Sequence, residues 1–272
     1  MPTAILTLRS EPFYRREAFA DGLKRLGYTV ELSDERITTR DATLPHPESR
    51  DDLLVLWNLK AGPQETKARE WERRGGTVLI AENSYLARVD KSAYAISVGG
   101  HCGSGWFPYD PTEDRFTPLG FPLEPHGAFN GHILVCGQRG VGSAEMASPV
   151  NWGGKMAIQL KTRYPNLEVR LRPHPGVTKP RVSLEDDLDG ASLCVIWSSA
   201  CGVRALTMGI AVVYQAPHWI CADAARDKIG LWLPPLDPVP ALNRMAHAQW
   251  SVPEISSGEP FARMKAANWG QA

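Results

Sequence analysis

The chain has 272 residues, 43% hydrophobic and 22% charged, and its 30 Lys+Arg balance 30 Asp+Glu. That length allows one large domain or two small ones with their own cores, and a zero net charge excludes a constitutive nucleic-acid coat, which needs a basic excess. Five cysteines without a CxxC pair predict reduced thiols, and no apolar run approaches the ~20 residues that span a bilayer, so a cytoplasmic protein with no membrane partner is expected.

In chain order, "TAILTL" reads as a first strand and not as part of a signal peptide. The following "FYRREAFADGLKRLGY" places Phe13, Ala20, Leu23 and Leu26 near one helical face, with Gly27 as a stop. "TVELSD" and "DDLLVLWNL" read as strands and "GPQETKAREWERRG" as a helix. "GTVLIAENSYL" and "SAYAISVGG" read as further strands. This alternation predicts a parallel sheet covered by helices.

Between Gly103 and Gly131 proline, glycine and aromatic residues crowd together without a long period. That texture predicts an ordered connection or substrate-contacting loops. Alternation then resumes: "HILVCGQ", the helix "NWGGKMAIQLKTRYP", "LEVRLRP", a short acidic helix around "SLEDDLDG", "SLCVIWSS", the helix "ACGVRALTMG" and "AVVYQ". The tail reads as one or two amphipathic helices separated by a Ser-Val-Pro turn. Two α/β halves result, and ligands of such sheets bind at the carboxyl ends of the strands.

Four loops of the second half follow strands and should open to one side. In "CGQRGVGS", Gln138 and Arg139 precede Gly140 and Gly142, which let backbone N–H groups approach an anion; a plain glycine turn is the alternative. In "VRLRPHPG", Arg172 offers a planar fork for a phosphate, and Pro173 and Pro175 stiffen the backbone around His174. Ser198 and Ser199 precede a helix, where their hydroxyls either cap it or hold a phosphate with its N–H groups. His218 and Trp219 in "YQAPHW" border a base or sugar, or form an ordinary loop.

"RLRPHPG", "ASLCVIWSSACGVRALTMGIAVVY" and "LNRMAHAQWSVPEISSGEPF" resemble the C-terminal half of GT-B-type glycosyltransferases, in particular capsule Kdo-transferase-like enzymes and a phage-encoded group. The likeness covers the second half well and the first only in the order of elements. It implies an α/β fold of two Rossmann-like halves facing a cleft, with a C-terminal helix returning to the first half. The implied division is an acceptor-side domain over 1–125, a nucleotide-sugar domain over 126–240 and a helical tail over 241–272. Arg172, His174, Ser198 and Ser199 would then hold the donor phosphates. Arg204 stands where many GT-B enzymes place a Glu for the ribose; it either adds charge against the phosphates or leaves the ribose to other groups.

The resemblance implies a metal-independent, inverting glycosyltransferase without a cofactor, its donor a nucleotide sugar such as a UDP-sugar. The leaving nucleoside phosphate would be stabilised by fixed positive charge and helix N-termini, and the acids of "SLEDDLDG", which include the Asp-x-Asp spacing Asp187-Leu188-Asp189, read as a solvated helix turn and not as a metal site. A base must take the acceptor's proton. The candidates are His101, favoured for its flanking glycines and near-neutral titration, then Glu82 and Asp110. The ending resembles the phage group most, which suggests hydroxymethyl-pyrimidine in double-stranded DNA as acceptor. Arg9, Arg15, Arg16, Trp106, Phe107 and Arg115 are candidate contacts to a duplex or flipped base. A glycan or small-molecule acceptor, a sugar-nucleotide epimerase and a non-catalytic nucleotide-binding module are the alternatives.

Overall fold

The structure is a computed structural model that describes residues 1–9, 13–33, 43–86, 93–127, 131–230 and 236–270. The chain divides into two compact units. One comprises 1–110, 142–145 and 246–272, the other 111–141 and 146–245.

The first unit begins with β1 (Thr3–Thr7), α1 (Phe13–Arg25), β2 (Thr29–Leu32), β3 (Leu53–Trp57), α2 (Pro63–Arg73), β4 (Thr77–Asn83) and β5 (Ala93–Val98). β2, β1, β3 and β4 are parallel neighbours. Leu53, Leu54, Val55 and Leu56 of β3 and Leu79, Ile80 and Ala81 of β4 are wholly buried, as befits central parallel strands covered on both faces. β2 is an edge strand and largely exposed. At the start of β3 the Asp52 carboxylate accepts hydrogen bonds from the Thr3, Glu48 and Ser49 amides and so ties two strand beginnings together.

β5 departs from the expected parallel alternation by pairing antiparallel with β4, Leu79 opposite Val98. Only nine residues separate β4 from β5, fewer than a parallel crossover requires. Of the face expected on α1, Ala20 and Leu23 are buried; the Phe13 side chain lies outside the described residues.

The second unit holds β6 (His132–Cys136), α3 (Trp152–Arg163), β7 (Val169–Arg172), α4 (Leu184–Leu188), β8 (Ala191–Ile196), α5 (Ala200–Thr207), β9 (Ala211–Tyr214) and most of α6 (Val239–His247). Its four strands are all parallel, in the order β7-β6-β8-β9. Ile133, Val135, Leu193 and Val195 pack with Trp152, Met156 and Leu160 of α3 in its core. The Gly103–Gly131 stretch is irregular where described, apart from one short 3₁₀ turn at Thr117–Leu119.

The last segment belongs to the first unit. It contains β10 (Gln249–Ser251), α7 (Val252–Ser257) and α8 (Glu259–Ala266). The strand β10, where only helix was expected, pairs antiparallel with β5, Trp250 opposite Tyr94. The expected Ser-Val-Pro turn is a helix start: Ser251 caps α7 in a reciprocal box with Glu254. Helices α7 and α1 meet closely because Gly22 has no side chain; a Cβ there would lie 2.0 Å from the Ile255 carbonyl oxygen. The sheets are thus parallel-dominated in a mixed α/β fold.

Candidate functional site

In the second sheet the chain runs from central β6 outward to β7 and then returns to β8 on the other side. The reversal between β6 and β8 is the switch point at which open α/β sheets bind ligands. Two expected loops meet there. The Ser198 amide donates to Gln138 Oε1 at 2.6 Å, and Gln138 Nε2 donates to Ser198 Oγ at 3.3 Å. Ser199 Oγ accepts from the Cys201 amide at 3.2 Å, so its hydroxyl is engaged as the N-cap of α5.

Beside this junction lies a cavity of about 510 Å³ at the carboxyl ends of β6 and β7, against the start of α3. Gln138, Arg139, Ser148, Asn151 and His174 are its polar side chains, and no carboxylate lines it. Arg139 is exposed. His174 Nδ1 accepts from the Gly176 amide at 2.9 Å, which leaves the other ring nitrogen to carry the proton of the neutral imidazole. Burial, and next the charge of Arg139, hold its pKa below the usual histidine value. Gly140 adopts a left-handed φ of 69°, and a Cβ on it would lie 3.1 Å from the Ser148 carbonyl oxygen. This loop therefore depends on a residue without a side chain.

Arg172 does not project as a free phosphate fork. Its guanidinium donates to the Val182 and Ser183 carbonyls at 3.1 and 3.0 Å and to the Asp187 carboxylate, and the side chain is only 10% exposed. It anchors the end of β7 to α4, because a guanidinium so largely withdrawn from water needs several acceptors. Arg204 is likewise committed: it donates to Glu185 and to Thr207 Oγ1. Trp219 is core, 3% exposed and tilted against Tyr214, whereas His218 is exposed.

Three thiols sit under the switch point. Cys136 and Cys194 have sulfur atoms 3.9 Å apart, and thiol hydrogen bonding with burial pushes Cys136 and Cys201 well above the ordinary range. The charge of Arg172 opposes that shift in both.

In the first unit two candidate bases lie on adjoining elements. Glu82, near the end of β4, accepts through Oε1 from the Tyr85 hydroxyl at 2.9 Å and from the Cys102 amide at 3.0 Å. His101, next in sequence to Cys102, accepts through Nε2 from the Leu59 amide at 3.3 Å. That bond occupies the ring lone pair a base would use. Asp110 is exposed.

The expected DNA contacts are mostly turned inward. Arg15 is 5% exposed, its guanidinium 3.7 Å from the centre of the Trp57 ring, so it stacks in the interior and cannot reach a duplex. The Arg115 side chain is 13% exposed and sits 3.8 Å from Glu113. Phe107 is buried. Trp106 and Arg16 are half-buried, Trp106 with Gly270 packed over its ring. Arg9, just past β1, is exposed. The residues line up as they do because aromatic and guanidinium side chains cover apolar area well, a role composition cannot separate from surface recognition.

Ser148, Asn151, Gly153 and Gly154 of the cavity were not singled out by sequence. Their signal is the run "SPVNWGG", in which Asn precedes a helix whose second and third residues are glycines. Among the described residues no group of His, Cys, Asp and Glu gathers as a metal site, and no helix is long and apolar enough to cross a membrane.

No protein-family model matches the chain, and no curated protein matches it by sequence. Solved structures do match. The chain is similar to the beta Kdo 2,4 transferase of Thermosulfurimonas dismutans KpsC, with a TM-score of 0.54 and 15% identity over 91% of this chain and 90% of that one. It is similar to the beta Kdo 2,7 transferase of the same KpsC, with a TM-score of 0.51 and 13% identity over 95% and 98%. At these identities the likeness is one of fold, and the fold is glycosyltransferase-like.

Proposed function

We propose that the protein is a GT-B-type glycosyltransferase that moves a sugar from a nucleotide-activated donor to a hydroxyl acceptor. The observation that carries this reading is the carboxylate-free cavity at the strand ends of the second sheet, lined by Gln138, Arg139, Ser148 and His174. Hydrogen-bond donors fixed around an anion stabilise a departing phosphate. The glycosyltransferase-like fold supports the same reading.

In the step itself the acceptor oxygen attacks the anomeric carbon, the bond from that carbon to the phosphate oxygen breaks, and the electron pair leaves with the nucleoside phosphate. The acceptor proton passes to a base. Glu82 suits this role better than His101: a carboxylate has about four lone-pair sites, two of them engaged by the Tyr85 hydroxyl and the Cys102 amide, whereas the single lone pair of the neutral His101 ring is taken by Leu59. Arg172 acts as a positioning residue through Asp187 and α4, while Arg139 and His174 face the donor.

A saccharide hydroxyl is the acceptor we favour over modified DNA, because Arg15, Phe107 and the Arg115 side chain are withdrawn from solvent. The test is incubation with nucleoside mono- and diphosphate sugars, UDP-sugars first, together with saccharide acceptors or hydroxymethylated DNA, followed by mass spectrometry. Mass gain on a saccharide is expected. Gain on DNA alone would reverse the acceptor choice, and donor turnover without any acceptor would replace transfer by epimerisation or hydrolysis.

A further inference from the structure

The chain is neutral as a whole, yet its charge is unevenly placed. Residues 147–182 hold seven Lys or Arg and one Glu, a net +6 in a total of zero. The same stretch carries Val150, Ile158 and Val177, which are 88%, 68% and 67% exposed. Among the described residues no other large apolar side chain except Met1 stands so far into water.

The strand β7 sorts the charges by its two faces. Val169 packs on α3 in the core, and side chains alternate along a strand, so Arg170 and Arg172 point away from α3. Those two are paired: Arg170 is bound to Glu168, and Arg172 to Asp187 of the acidic α4. Lys155, Lys161, Arg163, Lys179 and Arg181 are exposed, and among the described residues none of them is held in an ion pair.

The helix α3 contains no acid. Trp152, Met156 and Leu160 form its inward stripe. Ile158 stands on the outward one, with Lys155 and Lys161 three residues to either side and so beside it on the surface. Gly154, one turn before Ile158, lines the same cavity as Val150 and Val177, which brings the three aliphatic side chains into one patch.

Cations beside protruding aliphatic side chains match a membrane with anionic headgroups. The headgroup charge attracts the cations over about 10 Å at moderate ionic strength, and the aliphatic tips enter the boundary between headgroups and acyl chains. Protein interfaces are enriched in aromatic residues, and single-stranded nucleic acid is held by aromatic stacking, whereas the exposed large apolar residues of this stretch are all aliphatic. Docking of this kind needs no spanning helix, which is all that the lack of a long apolar run excluded.

We infer that the outward face of α3, with the loops at its start and beyond β7, docks on an anionic phospholipid membrane, Val150, Ile158 and Val177 entering the headgroup layer and Lys155 and Lys161 meeting its phosphates. Arg163, Lys179 and Arg181 add to the attraction. Such docking does not depend on sugar transfer.

The experiment is co-sedimentation with vesicles of phosphatidylcholine alone and of an equal mixture of phosphatidylcholine and phosphatidylglycerol, at low and high salt. The protein should bind the mixed vesicles at low salt, bind phosphatidylcholine alone far more weakly, and be released by high salt. Lys155→Ala and Lys161→Ala should each weaken binding about fivefold, the worth of one cation near an anionic leaflet. Ile158→Ser should weaken it about tenfold, as expected for an aliphatic side chain that is only partly inserted. Lys24→Ala with Arg25→Ala, which removes two exposed cations of the first unit, should leave it unchanged. Alanine is a strong helix former, and a thermal melt checks that each variant folds. No binding to the mixed vesicles, equal binding to both kinds, or full affinity in Lys155→Ala with Lys161→Ala would overturn the inference. An equal loss in the Lys24–Arg25 variant would overturn it too, by reducing the effect to charge in general. Tighter binding to duplex DNA, weakened by the same lysine variants, would give the face to nucleic acid in place of lipid. Self-association abolished by Ile158→Ser, without lipid binding, would give it to a second copy of the chain.

Discussion

Gln138 and Ser198 exchange two hydrogen bonds across the reversal of the second sheet, the Ser198 amide giving to Oε1 and the Gln138 amide giving to Oγ. Each residue ends a different central strand, so this one side chain sets the spacing of the two loops. Gln138→Ala should lower stability by about 1 kcal/mol, the loss expected for one net hydrogen bond, and should raise the KM for the donor more than it lowers kcat. Thermal unfolding and steady-state kinetics check both. An unchanged KM would detach the Gln138–Ser198 pair from donor binding.

His174 gives a pH signature. Its folded pKa is below the ordinary 6.5, through burial first and then Arg139, so the unfolded ring takes its proton before the folded one as pH falls. Its contribution to stability is therefore full above about 6.5 and declines as pH drops through that value toward the lower folded pKa. Arg139→Ala should move the folded pKa upward, read from the imidazole proton shift in an NMR titration. A bound phosphate should also raise it, because an anion favours the charged ring.

Glu82→Gln should cut kcat by about 10²–10⁴, the usual worth of a general base, with little change in melting temperature, since the amide oxygen can still accept from Tyr85 and Cys102. His101→Gln should keep most activity. The opposite ranking would return the role of base to His101.

The close approach of α1 and α7 at Gly22 sets a steric prediction. Gly22→Ala places a Cβ 2.0 Å from the Ile255 carbonyl oxygen and should destabilise by about 1–3 kcal/mol, the typical cost of overpacking. Denaturant melts measure it. Deletion of 246–272, which removes β10 and the helices that cover α1, should leave the first unit unfolded by circular dichroism.

Cys102, Cys136, Cys194 and Cys221 are buried and free. Burial is the leading cause that raises Cys102 and Cys221, and thiol hydrogen bonding the leading cause for Cys136. Alkylation requires a thiolate that the reagent can reach, so burial should keep iodoacetamide at pH 8 from labelling any of the four until the protein unfolds. Mass spectrometry of the native and denatured protein tests this.

The amino-acid order alone determined the secondary elements that carry the site. Apolar runs such as "LLVLW" and "HILVC" mark buried strands because no other element buries every successive side chain in so short a span. The turn residues Gln138, Gly140, His174 and Ser198 were legible because strand ends in an α/β sheet share one side. Three-dimensional packing decided what each charged side chain meets. Arg172 and Arg139 look equivalent as letters, yet Arg172 is held by Asp187 and two carbonyls while Arg139 stays open to the cavity. The direction of β5, the pairing of β10 with it, the interior place of Arg15 and the unpartnered hydroxyl of Ser148 belong to the same class. Each depends on partners far away in sequence, and local periodicity carries no record of which distant group will arrive beside it.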